Sequence, residues 1–205
     1  SKLNPFRRDP NPAVEPASVS LPAALPPAEA VVAAGSRYRY VNPTLPALGD
    51  RKAAERELVE GQQAQAARRL SEAIQHYRRA TVIDGSYFEG HFALGLALFE
   101  ARNFKSAAAE WEAAITIRPD SSDAHYNFAF TLKAAGYHRD AANELEKLLA
   151  LHPDEARGHL TLGNLYAERL GDKTRARVHY NRVLQLDPRN PQAQAIRYWL
   201  VANPG

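Results

Sequence analysis

Apolar residues recur at helical spacing over most of the chain after residue 50, in blocks of roughly a dozen residues. Short polar breaks separate these blocks, among them IDGS (83–86), RPDSS (118–122) and HPDE (152–155). Alanine, leucine, arginine and glutamate dominate the blocks, and all four are strong helix formers. The pattern predicts an all-α domain over residues 50–205, built from short amphipathic helices joined by tight turns.

The helical part repeats itself every 34 residues, since HFALGLAL (91–98), HYNFAFTL (125–132) and HLTLGNLY (159–166) begin at equivalent places. One unit is defined by eight positions: His91, Leu94, Gly95, Leu98, Ala107, Trp111, Ala114 and Pro119. Shifted by 34, these positions hold His125, Phe128, Ala129, Leu132, Ala141, Leu145, Leu148 and Pro153. The next unit follows the same pattern with one extra residue around LGDKT (170–174). A fixed period of this length indicates a stacked array of equivalent units.

The unit resembles the tetratricopeptide repeat (TPR), a 34-residue helix–turn–helix motif with a Leu-Gly pair on its first helix. Leu94–Gly95 and Leu162–Gly163 match that pair, and Pro119 matches the proline that ends a unit. The resemblance implies a right-handed TPR superhelix of about three and a half repeats with a C-terminal capping helix. The implied boundaries are about 52–86, 87–120, 121–154 and 155–189 for the repeats and 191–202 for the capping helix.

The first repeat is imperfect, because Glu57 and Glu60 occupy places where apolar residues are expected. A terminal repeat with a polar outer face is common in stacked arrays.

Residues 1–49 have a different composition, with nine of the 14 prolines before residue 47. Proline fixes φ and lacks an amide hydrogen, so neither a long helix nor a central strand can run through this stretch. We therefore predict an extended, proline-rich N-terminal arm, with a short helix at 28–34 and a short extended piece at 37–41. The arm is either a flexible linker or a segment that lies along a surface. Whether that surface is the chain's own groove or a neighbour stays open.

Charge and composition narrow the range of partners. The net charge of +3 comes from 26 basic and 23 acidic residues that are mixed along the helices, which argues against nucleic acid because phosphate binding needs clustered cations. The absence of cysteine excludes disulfides and thiol chemistry. No apolar run approaches the ~20 residues that span a bilayer. Any membrane association is therefore expected to be peripheral, through a partner or a missing N-terminal anchor.

The expected compartment follows only from composition. The chain lacks methionine even at position 1, so either the initiator or a longer N-terminal segment such as a signal peptide has been removed. An alanine- and arginine-rich chain without cysteine is typical of bacterial proteins. We expect an exported, periplasmic or membrane-peripheral protein, with the cytoplasm as the alternative.

The evenly spaced histidines His91, His125 and His159 could be metal ligands, a proton relay or part of a scaffold. Packed helices lie ~8–10 Å apart, whereas a metal needs ligands at ~2 Å, so histidines of successive repeats cannot share an ion. No second ligand is evident within each repeat, and His76, His138, His152 and His179 are expected to form no cluster. We therefore predict a packing role, with no metal and no cofactor.

Sequence motifs of catalysis are also missing. The chain contains no glycine-rich phosphate loop, no HExxH and no nucleophile elbow. A non-enzymatic protein is the prediction.

The resemblance implies that the first helices line a concave groove that binds a peptide or helix of another protein. The groove positions are Phe92, Leu96, Phe99, Tyr126, Asn127, Phe130, Lys133, Arg157, Leu160 and Asn164. The apolar members either pack between neighbouring first helices or form a strip too large to leave in water. Chaperone-binding relatives hold a peptide carboxylate with polar groove residues. Asn127 and Arg157 suit that role, but Phe92 and Leu96 stand where it needs polar side chains, so it is not expected here.

These observations predict a scaffold that binds other proteins, as an accessory or assembly subunit of a larger, possibly membrane-associated bacterial complex. Docking would use the groove and the arm. The alternative is a transient peptide- or chaperone-binding adaptor in the cytosol. An RNA-binding helical array would need basic and aromatic residues interleaved in the groove, and the mixed charges there do not favour it.

Overall fold

A computed structural model describes residues 37–41 and 43–204, so the helix expected at 28–34 lies outside the described residues. Regular structure in the described part is helical throughout, as predicted. The helices are α1 (Arg51–Ala66), α2 (Leu70–Ile83), α3 (Phe88–Glu100), α4 (Phe104–Ile117), α5 (Ser122–Ala134), α6 (His138–Leu151), α7 (Ala156–Leu165), α8 (Lys173–Leu186) and α9 (Ala193–Ala202).

Within the described residues the helices form four antiparallel pairs, so the array has four full repeats rather than about three and a half. In each pair a first helix (α1, α3, α5 or α7) packs along a second helix (α2, α4, α6 or α8). Each second helix then packs on the first helix of the next repeat. Every repeat therefore contacts mainly its neighbours, as in other solenoid proteins.

Close approach within a pair depends on a small residue opposite a large one. Three repeats place a glycine of the first helix against an aromatic ring of the second: Gly61 with Tyr77, Gly95 with Trp111 and Gly163 with Tyr180. A Cβ atom on Gly95 would lie 2.9 Å from the Trp111 ring, which is too close for a carbon–carbon contact. The remaining repeat has Ala129 and the smaller Leu145 at these places, and both are fully buried.

The extra residue near LGDKT is absorbed without disturbing the packing. After α7 the chain continues as a π-helical turn, Tyr166–Leu170, and Gly171 ends that turn at a φ of 70°. A π-helical turn accommodates one more residue than the corresponding α-helical turn. Ala176 and Tyr180 consequently keep their buried positions in the last repeat.

The last helix covers the end of the array. Helix α9 begins at Ala193, two residues later than the sequence suggested, and buries Ile196. The ring of Trp199 contacts that of Tyr180 edge-on, with centroids 4.9 Å apart. This helix therefore shields the apolar side of the fourth repeat.

The described part of the arm belongs to the same compact unit as the helices. Residues 37–41 lack helix and strand and pack against α4, α5 and α6. Residues 43–49 lead to α1, whose first turn is capped by the Asp50 side chain accepting a hydrogen bond from the Ala53 amide.

Among residues 37–41 and 43–204, no helix combines the length and the apolar character that crossing a bilayer requires.

Candidate protein-binding surface

The first helices of successive repeats form one continuous surface. The rings of Phe99 on α3 and Phe130 on α5 have centroids 5.5 Å apart. The Tyr126 hydroxyl of α5 lies 3.3 Å from the Thr161 hydroxyl of α7. Because these first helices touch one another directly, they line the inner, concave side of the array.

An apolar strip runs along this concave side. We define the strip as Leu96, Phe99, Tyr126 and Phe130. Tyr126 and Phe130 stack nearly parallel, at 15° and 6.2 Å between centroids. The three rings are partly buried between neighbouring helices, whereas Leu96 is 40% exposed. The strip therefore combines packing between repeats with apolar surface that faces the solvent.

Two further apolar groove positions lie closer to the core than to the strip. The Phe92 ring contacts Trp111 edge-on at 5.1 Å and Phe88 at 5.6 Å. Leu160 is partly buried and packs against the main hydrophobic cluster. Both side chains are therefore partly buried at the edge of the core and contribute little to the apolar surface of the concave side.

Two cations flank the aromatic rings of the strip. Lys133 Nζ lies 5.0 Å from the centre of the Phe130 ring, and the Arg157 guanidinium lies 4.5 Å from that of Tyr126. Arg157 also forms ion pairs with Asp123 and Glu155. Burial, the largest single influence, would lower the pKa of Arg157, but the hydrogen bonds and negative charges of Asp123 and Glu155 together outweigh it and raise that pKa.

The two polar amides of the groove are already engaged within the chain. Asn127 donates to the Asp123 carbonyl oxygen at 2.8 Å. The Asn164 side-chain oxygen accepts from the Tyr180 hydroxyl at 2.8 Å. Asn127 and Arg157 therefore each use part of their hydrogen-bonding capacity within the chain, and the absence of a carboxylate clamp stays a prediction.

A polar pair occurs at the same place in all four repeats, which the sequence reading missed. The pairs are Glu57–His76 at 2.8 Å, His91–Glu110 at 2.7 Å, His125–Glu144 at 2.5 Å and His159–His179 at 3.0 Å. The expectation that no partner recurs within a repeat was therefore wrong, whereas His76 and His179 each hydrogen-bond one partner side chain and, among the described residues, join no larger cluster of potential metal ligands. The signal was a spacing of 19 residues, which becomes 20 after the extra residue of the last repeat.

The second ring nitrogen of each repeating histidine fixes the preceding loop. Nε2 of His91, His125 and His159 lies 2.9–3.0 Å from the carbonyl oxygen of the residue six positions earlier. Each ring thus joins the loop before a repeat to the second helix of that repeat. This arrangement gives the histidines a structural role.

The electrostatic states of these pairs differ. Burial, the largest single influence, would lower the pKa of His125, but the hydrogen bonds to Glu144 and to the Pro119 carbonyl, together with the Glu144 charge, outweigh it and raise the pKa above its usual value. In the last repeat, burial and the neighbouring His159 ring lower the pKa of His179 to about 4. Burial also lowers the pKa of His159. Within the described residues, no group of three or more acidic or histidine side chains is placed to hold a metal ion.

The described arm lies on the opposite side of the array from the strip. Tyr38 and Tyr40 contact the Phe128 ring at centroid distances of 5.7 and 6.0 Å. In a helix, residue 128 points away from residues 126 and 130. Residues 37–41 therefore do not cover the concave side.

Comparisons with known proteins agree with this architecture. A family model described as tetratricopeptide repeat matches residues 126–191, and one described as TPR repeat matches residues 69–101. A search of curated proteins found no match.

Several solved structures share the fold. A crystal structure of MamA superimposes with a TM-score of 0.63 at 22% identity, covering 70% of this chain and 83% of that one. A tetratricopeptide repeat protein from Parabacteroides merdae gives 0.67 at 16% identity, covering 73% and 59%. The first TPR of Spaghetti (RPAP3), bound to an HSP90 peptide, gives 0.56 at 18% identity, covering 60% and 97%. With the repeated helix pairs and the family models in agreement, the helical part of the chain contains tetratricopeptide repeats, matched over residues 69–101 and 126–191.

Proposed function

We propose that this protein is a non-enzymatic scaffold that binds an apolar segment of a partner protein along the strip Leu96, Phe99, Tyr126 and Phe130. The observation that carries the proposal is the continuous strip on the concave side, with Leu96 40% exposed and the described arm docked elsewhere. Exposed apolar surface of this kind marks interaction sites in soluble proteins. TPR repeats imply protein–protein interaction as a class.

The rigidity of the repeats supports binding at this site. The polar pair in every repeat and the glycine–aromatic contacts fix the spacing of the two helices in each unit. A groove that is ordered before binding loses less conformational entropy when its partner arrives. An extended peptide or an amphipathic helix could present apolar side chains to the strip.

We favour a lasting role in a larger assembly over transient capture of a peptide terminus. Asn127 and Arg157, which would hold a terminal carboxylate, already bind Asp123. The adaptor alternative rests on the likeness in fold to the RPAP3 domain, which is bound to an HSP90 peptide. Replacing both Asn127 and Arg157 with alanine should leave partner binding largely intact under our proposal and abolish it under the adaptor alternative.

Co-purification with matched surface variants tests the proposal. The chain is expressed with an affinity tag in cells of its source organism, once with its own sequence and once with the substitution Phe130→Asp. Val178→Asp serves as the control, because Val178 is 63% exposed on α8, which is a second helix. A hot-spot residue at the centre of an interface contributes about 2 kcal/mol or more, so, with Phe130 in that position, Phe130→Asp should reduce recovery of the partner more than about tenfold.

The control variant should recover the partner as the unchanged chain does. Circular dichroism establishes that both variants remain helical. Equal recovery of every partner with Phe130→Asp and with the unchanged chain would refute binding through the strip.

A further inference from the structure

The described arm segment 37–41, here called the strap, is bound by two buried carboxylates. Asp140, which is fully buried, accepts hydrogen bonds from the Tyr38 amide at 2.8 Å and from the Arg37 guanidinium at 2.9 Å. Glu112, which is 6% exposed, accepts from the Tyr38 hydroxyl at 2.7 Å and from the Val41 amide at 3.0 Å. Burying a carboxylate without such donors costs free energy, so the two carboxylates and the strap form a specific binding site for one another.

The two carboxylates belong to different repeats. Glu112 lies on α4 and Asp140 on α6, which are consecutive second helices. In the helix packing, α4 contacts α3 and α5, whereas α6 contacts α5 and α7. A cavity of about 620 Å³ lies between α4 and α6 beside Tyr40 and Pro43. The strap therefore spans a gap that the two helices do not close by themselves.

The strap also packs on the face of α5 that lies opposite the apolar strip. Tyr38 contacts Tyr40 and Tyr137 edge-on, at 5.1 and 5.6 Å between ring centroids. Both strap tyrosines pack on Phe128 of α5, and the opposite face of that helix carries Tyr126 and Phe130 of the strip. Helix α5 is thus held between the strap on the outer side and the groove on the inner side.

We propose that the strap fixes the spacing of α4 and α6 and thereby sets the shape of the groove between the second and third repeats. Without the strap, Asp140 and Glu112 lose these donors and the bridge between α4 and α6 is gone, so the two second helices can move apart. Because each repeat contacts mainly its neighbours, this movement changes the angle between α3 and α5. The spacing between the third and fourth repeats stays the same. This movement is a property of the solenoid itself, whatever the groove binds.

The absence of cysteine allows a direct test by distance measurement in the full-length chain. Spin labels are attached to cysteines introduced at exposed, equivalent positions of two second helices, Lys105→Cys on α4 and Arg139→Cys on α6. The control pair is Arg139→Cys and Thr174→Cys, which joins α6 to α8 and is not bridged by the strap. Double electron–electron resonance then reports each distance distribution with and without the changes Arg37→Ala and Tyr38→Ala.

We expect the distribution between positions 105 and 139 to become broader and longer in the strap variant, and that between 139 and 174 to stay the same. Hydrogen exchange of the amides at residues 38 and 41 should lose its protection in parallel. An unchanged 105–139 distribution with unprotected amides would overturn the proposal. If the amides stay protected, Tyr38→Pro, which removes the amide donor to Asp140, replaces Tyr38→Ala and the same distance decides. If the variant loses helicity, adding Glu112→Gln and Asp140→Asn removes the buried charges and the same measurement decides.

Discussion

At the residue scale, the packing of each repeat depends on one small side chain opposite one large one. Gly95 approaches the Trp111 ring so closely that a methyl group has no room, while Ala129 faces the smaller Leu145 in the next repeat. The sequence showed these positions as a repeated pattern because their spacing is fixed at 34 residues. It did not show how close the atoms are.

Replacing Gly95 with alanine should lower the free energy of unfolding by about 1–3 kcal/mol, because the added methyl group overpacks the contact with Trp111. Urea denaturation measures this change. In the double variant Gly95→Ala with Trp111→Leu, which copies the Ala129–Leu145 pair, the loss should be smaller than the sum of the two single losses. Strictly additive losses would mean that the two side chains do not compete for space.

The histidine pairs also belong to the residue scale, and they predict how stability depends on pH. An unfolded histidine has a pKa near 6.5, whereas that of His179 is about 4 and that of His159 is also lowered. The unfolded chain therefore binds more protons than the folded one below about pH 6.5, and these two groups reduce stability as the pH falls towards 4. His125, whose pKa is raised, acts in the opposite sense and adds stability under acidic conditions.

The variant His179→Glu places a carboxylate where two other repeats already have one, opposite their histidine. Its urea midpoint should fall less between about pH 7.5 and pH 5 than that of the unchanged chain. The variant His125→Gln provides the comparison, because it should lose stability more steeply over the same interval. If the unchanged chain and His179→Glu lost stability equally, the His159–His179 pair would not be the source of the acid sensitivity.

At the element scale, the helices and their order were predictable, because the apolar period and the polar breaks both appear in the sequence. Details that depend on backbone conformation could not be predicted from the sequence. The π-helical turn at Tyr166–Leu170 appeared only as one extra residue, and the turn inside each repeat places a residue in the left-handed region. Arg68 and Arg102 adopt a φ of 60° there, where the third repeat has Gly136.

Replacing Arg68 with glycine should therefore raise the free energy of unfolding by about 0.5–1 kcal/mol, because glycine adopts the left-handed conformation without steric strain. The reciprocal variant, Gly136→Ala, should lower it by a similar amount. Thermal or urea denaturation of the two variants measures both effects. A loss of stability in Arg68→Gly would contradict this reading of the turn.

At the scale of the whole molecule, the two faces of the array carry different features. The concave side carries the apolar strip, and the outer side holds the described arm through Glu112 and Asp140. The resemblance predicted the groove positions, but the sequence could not distinguish Phe92, which packs on Trp111, from Leu96, which faces the solvent. Nor could it locate the arm, since that depends on carboxylates distant in the chain.

The central claim is that a partner protein binds along the concave strip. Site-specific photocrosslinking in living cells tests it most directly, with a photoreactive amino acid placed at Leu96 on the concave side or at Val178 on α8. Both side chains are exposed, so either position accepts the probe with little disturbance to the fold. We predict a discrete crosslinked partner from position 96 that is missing from position 178. Crosslinks to the same partner from position 178, with none from position 96, would contradict the account.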